Sequence, residues 1–184
     1  MSAERTAVPA CVIRPCVPAD EAALALLGQA SFLEAFAGTL RSSDILEHCV
    51  HKHSREVYRS WLDDTRVDIW IAHAQQGGAA VGYLVMSPPV PAELPLTDLD
   101  AHDAEIKRIY LLHRFQGLGL GAALMKAARE RAQQRGARRL VLGVYAGNRA
   151  AIAFYEAQGF RAVGRRTFRV GVTDCEDLIL ARAL

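Results

Sequence analysis

The 184-residue chain is 51% hydrophobic and 23% charged, the balance of one globular domain with a full core. No apolar run nears the ~20 residues that cross a membrane, and the first ten residues have an acidic side chain and no apolar h-region, so neither a membrane partner nor a secretory signal is expected. A net charge of +2 argues against nucleic acid, and four cysteines (Cys11, Cys16, Cys49, Cys175) without a C-x-x-C pair fit reduced thiols in a cytoplasm.

Residues 1–10 read as a disordered lead-in and 11–184 as a single domain. CVIRP (11–15) is a first strand stopped by Pro15. Asp20 is placed as the N-cap of EAALALLGQASFLEAF, apolar at helical spacing. A second helical region spans 44–62, broken near Ser54. VDIWIAHA (67–74) alternates as a strand, and Gln76-Gly77-Gly78 turns the chain into an antiparallel partner, 79–87. Residues 87–104 carry four prolines and no periodicity, a long loop of the kind that often holds function. A strand at 105–112, a helix from about 120 to 135 and a strand at 138–146 follow. Asn148 caps a helix at 149–157, and two strands, 160–170 and 175–184, close the chain. This order gives an α/β domain with one mixed sheet of about seven strands flanked by about four helices.

The most informative stretch is EIKRIYLLHRFQGLGLGA (105–122), a strand, a glycine-rich turn and a helix start. Gly117, Gly119 and Gly121 let the backbone turn tightly and approach a ligand. The N–H groups and dipole of the following helix make an anion site, usually for phosphate. Gly117-x-Gly119-x-x-Ala122 also fits the dinucleotide pattern, but no Asp or Glu lies between Glu130 and Glu156, where the ribose acid belongs. No G-x-x-x-x-G-K-[ST] loop is present. A turn serving only helix–strand packing is the plain alternative.

Gln116-x-x-Gly119-x-Gly121 at a strand-to-helix junction resembles the Q/R-x-x-G-x-G/A signature of the GNAT superfamily of acetyl-CoA-dependent N-acetyltransferases. Asn148 followed by AAIAFYEAQGF (150–160) resembles its second signature, and the stretch 106–125 is similar to small-amine members of the spermidine/spermine type. The resemblance implies the GNAT fold, acetyl-CoA as cosubstrate, no metal, and a small-molecule or peptide amine as acceptor, with homodimers frequent among relatives. It implies that the backbone of Ile109 and Leu111 pairs with the pantetheine arm. It also implies that Gln116, Gly117, Leu118, Gly119, Leu120, Gly121 and Ala122 cradle the pyrophosphate. Asn148 contacts the arm or is only a helix cap. Tyr155 is the expected proton donor to the departing thiolate; a core-facing tyrosine is the alternative. Glu105, placed by strand period on the face of Leu111, is the expected general base, against a solvent-exposed strand-entry carboxylate.

Charge is segregated along the chain. Lys107 to Arg169 holds 14 Lys/Arg against two acids, suiting an anion, with Arg114, Lys126 and Arg149 as candidate phosphate contacts. Residues 67–106 hold six acids and no Lys or Arg, and Glu93, Asp98, Asp100 and Asp103 are expected to attract a cationic acceptor. The run His48-Cys49-Val50-His51-Lys52-His53 has no recognised metal-ligand spacing. A non-catalytic acyl-CoA-binding module and a nucleotide-binding oxidoreductase are the rival functions.

Overall fold

Alternating strands and amphipathic helices condense onto one sheet in a computed structural model that describes residues 10–184, so all but the last residue of the expected lead-in lies outside the described residues. The strands are β1 (Cys11–Pro15), β2 (Asp68–Ala74), β3 (Ala80–Ser87), β4 (Asp103–Leu111), β5 (Arg139–Tyr145), β6 (Arg161–Val170) and β7 (Thr173–Ala183). The helices are α1 (Glu21–Phe36), α2 (Ser42–Lys52), α3 (Arg55–Asp63), α4 (Leu120–Gln134) and α5 (Arg149–Ala157). The sheet order is β1-β2-β3-β4-β5-β7-β6, antiparallel throughout except between β4 and β5.

The 44–62 region is broken at Ser54 as expected: Ser54 leaves helical geometry and its Oγ accepts the Val57 N–H at 3.3 Å to start α3. Three local expectations shift. Asp20 does not cap α1 with its side chain. Its carboxylate accepts the Val17 N–H (2.8 Å) and two bonds from Arg14 (2.7 and 2.8 Å), pinning the corner between β1 and α1. β4 begins at Asp103, shortening the proline-rich loop to 88–102. The last hairpin closes over Gly171 and Val172 alone.

α4 and α5 cover one face of the sheet, where Leu124, Met125 and Tyr155 pack on Leu84, Ile106, Leu140 and Leu142. α1 and α3 cover the other, with Leu24, Leu27 and Tyr58 on Ile71, Tyr83 and Val85. Leu94 of the loop seals that second face over Val141 and Ile179.

A polar hub lies under α1. Tyr58 Oη is 2.6 Å from Tyr83 Oη and 2.8 Å from His53 Nδ1, and Arg108 Nη1 donates to it at 2.8 Å. Burial pushes the His53 imidazole down to about 2 and His48 down to about 4, so both rings stay neutral near pH 7. Neither serves as a cation, and His48 stacks on Phe32 instead (centroids 4.1 Å apart). Gly28 is the roof of the hub: a Cβ there collides with His53 Nδ1 and the Tyr58 hydroxyl. At an open helix site Gly→Ala gains roughly 1 kcal/mol, and overpacking costs about 1–3 kcal/mol. Gly28→Ala is therefore expected to lower stability by about 1–2 kcal/mol, the overpacking outweighing the helix gain, as a fall in the denaturant midpoint. An unchanged or raised midpoint would mean that the hub yields freely.

The segregated charges meet in space. Arg131 of α4 and Arg135, just past its end, pair with Asp68 of β2 (3.0 and 2.6 Å). Arg139 pairs with Asp98 and Asp103, and Lys107 with Glu93, each at 2.7 Å. Much of the sequence asymmetry is thus consumed in fixing the loop and α4.

Candidate active site

β4 and β5 form three parallel pairs, Asp103↔Arg139, Ala104↔Leu140 and Glu105↔Val141, and then separate. β4 stays with β3 to Leu111, while β5 follows β7 to Tyr145. A wedge therefore opens beyond Glu105. Leu112 donates its N–H to Val81 O on β3 at 3.0 Å. Backbone alternation then turns the amides of Leu111 and Ile109 toward β5, where no strand receives them. The wedge is lined by peptide groups that need partners.

The glycine turn closes the wide end. Gly117 and Gly119 adopt φ +73° and +80°, the left-handed region that glycine tolerates best. Gly121 does not take part in the turn. It is the second residue of α4, and it is small because a Cβ would lie 3.3 Å from the Phe154 ring. The first helical N–H bonded to a preceding carbonyl is that of Ala123, to Gly119 O at 3.0 Å. The N–H groups of Leu120, Gly121 and Ala122 therefore point out of the helix start, next to those of Gly117, Leu118 and Gly119. Gln116 Nε2 donates to Leu111 O (3.1 Å), so this side chain braces the turn against the strand end. Arg114 and Arg149 make no ion pair among the described residues, whereas Lys126 lies 3.8 Å from Glu130.

Tyr155 projects from α5 into the core on the α4 side, between Phe154 and Phe160 (ring centroids 5.3 and 5.9 Å away). Burial drives its phenol well above the usual tyrosine range, and Tyr110 adds to the shift. Such a hydroxyl remains protonated at any physiological pH. Asn148 Oδ1 accepts the Ala151 N–H at 3.0 Å and caps α5, leaving its amide NH₂ uncommitted.

Glu105 stands where β4 and β5 part, almost fully buried. It does not share the face of Leu111. Val85 pairs with Arg108 and Met86 with Ile106, so Lys107 is an extra residue, a β-bulge that inverts the side-chain alternation. Ile109 and Leu111 face α4, whereas Glu105, opposite Ser87, faces the α1–α3 side with Arg108 and Tyr110. Tyr155 and Glu105 thus lie on opposite faces of the sheet, joined by the wedge. Glu105 Oε2 has no hydrogen bond among the described residues, although Lys107 Nζ is 3.3 Å away. Burial raises the carboxyl above its ordinary range, Lys107 opposes the rise, and Glu93 adds to it. The wedge's mouth on this face carries the half-buried rings of Phe36, Tyr110 and Tyr145.

Two residues of this face were not singled out from the sequence. Arg166 of β6 pairs with Asp177 of β7 (Nε to Oδ2 3.2 Å) and donates to Glu93 O at 2.7 Å. The available signal was Gly143, a glycine inside a strand, which marks a close approach. A Cβ there would lie 2.6 Å from Arg166 Cζ.

This α/β fold is shared with acetyltransferases of known structure. It superposes on the PaiA N-acetyltransferase of Thermoplasma acidophilum, solved with coenzyme A, with a TM-score of 0.75 at 19% identity over 95% of this chain and 99% of that one. The ribosomal-protein-S18-alanine N-acetyltransferase of Escherichia coli gives a TM-score of 0.66 at 20% identity over 95% and 94%. Residues 35–160 match the model of the acetyltransferase (GNAT) family, and the chain belongs to that family. Uncharacterised N-acetyltransferases of Mycobacterium bovis and Mycobacterium tuberculosis are each 36% identical to it over 127 residues, 69% of this chain and 74% of theirs. The protein is an N-acetyltransferase by family and fold. Among the described residues no helix is long and apolar enough to cross a membrane.

Proposed function

We propose that this enzyme moves an acetyl group from acetyl-CoA to a primary amine of a small molecule or peptide by direct attack. The observation that carries the proposal is the continuity of the site: the unpaired edge of β4 runs straight into the turn whose N–H groups point outward. An arm with peptide-like amides ending in a diphosphate is the ligand that such a path fits. The coenzyme A in the Thermoplasma structure supports the same choice.

In this scheme Ile109 and Leu111 bind the pantetheine arm as an added strand. The Leu111 N–H polarises the thioester carbonyl and stabilises the oxyanion that forms on attack. The amides from Gly117 to Ala122 hold the pyrophosphate, Gln116 keeps the turn in place, and Arg114 and Arg149 offer positive charge beside it. The Asn148 amide is left for the arm. Glu105 accepts the proton of the attacking ammonium from the α1–α3 side. Tyr155 donates one to the departing thiolate from the α4 side, and the second proton that the nitrogen sheds as the amide forms restores the phenol. Burial raises the thiols of Cys49 and Cys175, which keeps them protonated and poor nucleophiles, in line with transfer without an acyl-enzyme. The unbridged thiols of Cys16, Cys49 and Cys175 suit a reducing cytoplasm.

Of the four acids read as a lure, Glu93 and Asp98 of the loop and Asp103 of β4 are matched by Lys107 and Arg139, so they present no row of open charges to a polycation. The rings of Phe36, Tyr110 and Tyr145 line the mouth instead. A primary monoamine on an apolar or aromatic body is the acceptor this favours over a polyamine. The test compares kcat/KM for phenethylamine and spermidine by thiol release, with calorimetric titration of coenzyme A against NAD. Coenzyme A should bind and NAD should not. The monoamine should lead by at least tenfold, and a clear lead for spermidine would overturn the acceptor class.

A further inference from the structure

Across the α1–α3 face, five charged side chains form a line that ends at Glu105. Asp177 of β7 pairs with Arg166 of β6 (Nη2 to Oδ2 3.1 Å). Arg166 Nη1 reaches Glu93 O in the loop (2.7 Å). The Glu93 carboxylate holds Lys107 Nζ (2.7 Å), and Lys107 Nζ lies 3.3 Å from Glu105 Oε2. Arg166 and Asp177 are cross-strand partners; Asp177 is buried and the Arg166 side chain largely so. To reach Glu93 the guanidinium crosses β5 at Gly143, where a Cβ would lie 2.6 Å from its Cζ and block it. A buried ion pair gains little stability over apolar packing. A strand glycine kept free to admit a guanidinium therefore points to use of its charge.

We propose that Arg166 is a positioning residue for the base: laid across Gly143, its guanidinium locks Glu93 and Lys107 at the base of the wedge and keeps positive charge facing Glu105. This rests on Glu105 acting as the base. The groups facing Glu105 are Lys107 on its own strand, Glu93 from the loop, Arg166 from β6 and, behind it, Asp177 from β7. Its cross-strand neighbours Ser87 and Val141 carry no charge. Arg108, also on this face of β4, is turned away to Tyr58 Oη and to Lys52 O (2.6 Å).

The sign of the effect follows. Arg166 favours the ionised form of Glu105, against the burial that disfavours it. Without Arg166 the proton is held more tightly, and activity that needs the carboxylate begins at higher pH. Asp177, if it stays ionised once unpaired, pushes in the same direction.

The experiment is the pH profile of kcat/KM for the best amine, at saturating acetyl-CoA, in wild type, Arg166→Met, Arg166→Lys and Gly143→Ala, with coenzyme A affinity measured alongside. Arg166→Met should move the acid limb up by about one pH unit, and Arg166→Lys should return part of that shift. Gly143→Ala keeps the charge but displaces it, and should move the limb the same way by less. Coenzyme A affinity should stay within about twofold, because the frame does not touch the donor path. Acid limbs that coincide in wild type and Arg166→Met overturn the proposal. If Arg166→Met fails to fold, coincident limbs in Gly143→Ala and wild type do the same. Glu105→Gln separates the two levels: if it keeps the wild-type limb and rate, the base assignment itself is wrong and the proposal falls with it.

Discussion

Replacing Tyr155 by phenylalanine is expected to lower kcat about 100-fold and to leave the KM for acetyl-CoA within about threefold. The substitution removes one oxygen and leaves a ring that still fits between Phe154 and Phe160. The Tyr155 hydroxyl makes no hydrogen bond among the described residues, so its loss breaks no internal network. A stability loss cannot then stand in for the kinetic one, and the thermal midpoint should move by only a few degrees. Burial holds the phenol protonated throughout the working pH range, so it is always present as a donor. The thiolate it serves appears only after the amine has attacked, which is why the effect belongs in kcat. Single-turnover thiol release measures it. Full activity in the phenylalanine variant would remove Tyr155 from the chemistry.

The second large effect is expected at Glu105. Glu105→Gln keeps the shape and the volume but cannot take a proton. At neutral pH its kcat/KM should fall by about 100-fold. The pH profile is the sharper readout. In wild type, kcat/KM should rise through an acid limb set by Glu105, and burial places that limb above the ordinary carboxylate range. In the glutamine variant this limb should vanish, and the residual rate should follow only the deprotonation of the free amine. The loss should shrink as pH approaches the pKa of the amine, because the acceptor then arrives already neutral. A Glu105→Gln profile that keeps the wild-type limb would place the base elsewhere.

The parts of this site that are local in sequence were legible there. A glycine turn, a helix start and an Asn cap are set by residues within a few positions of each other, so Gly117, Gly119, α4 and Asn148 all occupy the structural positions read for them. The parts made by pairing were not. The face of Glu105 depends on a bulge at Lys107, and that bulge exists only in the register between β3 and β4. Strand period alone therefore placed Glu105 with Leu111, on the wrong side of the sheet. The loop acids read as a lure for a cation because their partners, Lys107 and Arg139, come from strands that the sequence does not place beside them. Gly28 and Gly143 are interior glycines whose neighbours in sequence do not say what approaches them. Their meaning lies in the Tyr58–His53 hub and in Arg166, which reach them from other elements.

The proposed chemistry needs the two faces of the sheet to act on one thioester held in the wedge, amine and base on one side and acid on the other. The most direct measurement is a single reaction of the purified protein with acetyl-CoA and a panel of primary amines, scored for free thiol and for N-acetyl product together. The expected result is one thiol released per N-acetylamine formed, with little release when the amine is left out. Tight binding of acetyl-CoA with no product from any amine would contradict it, and would make the wedge a site that holds the donor without using it.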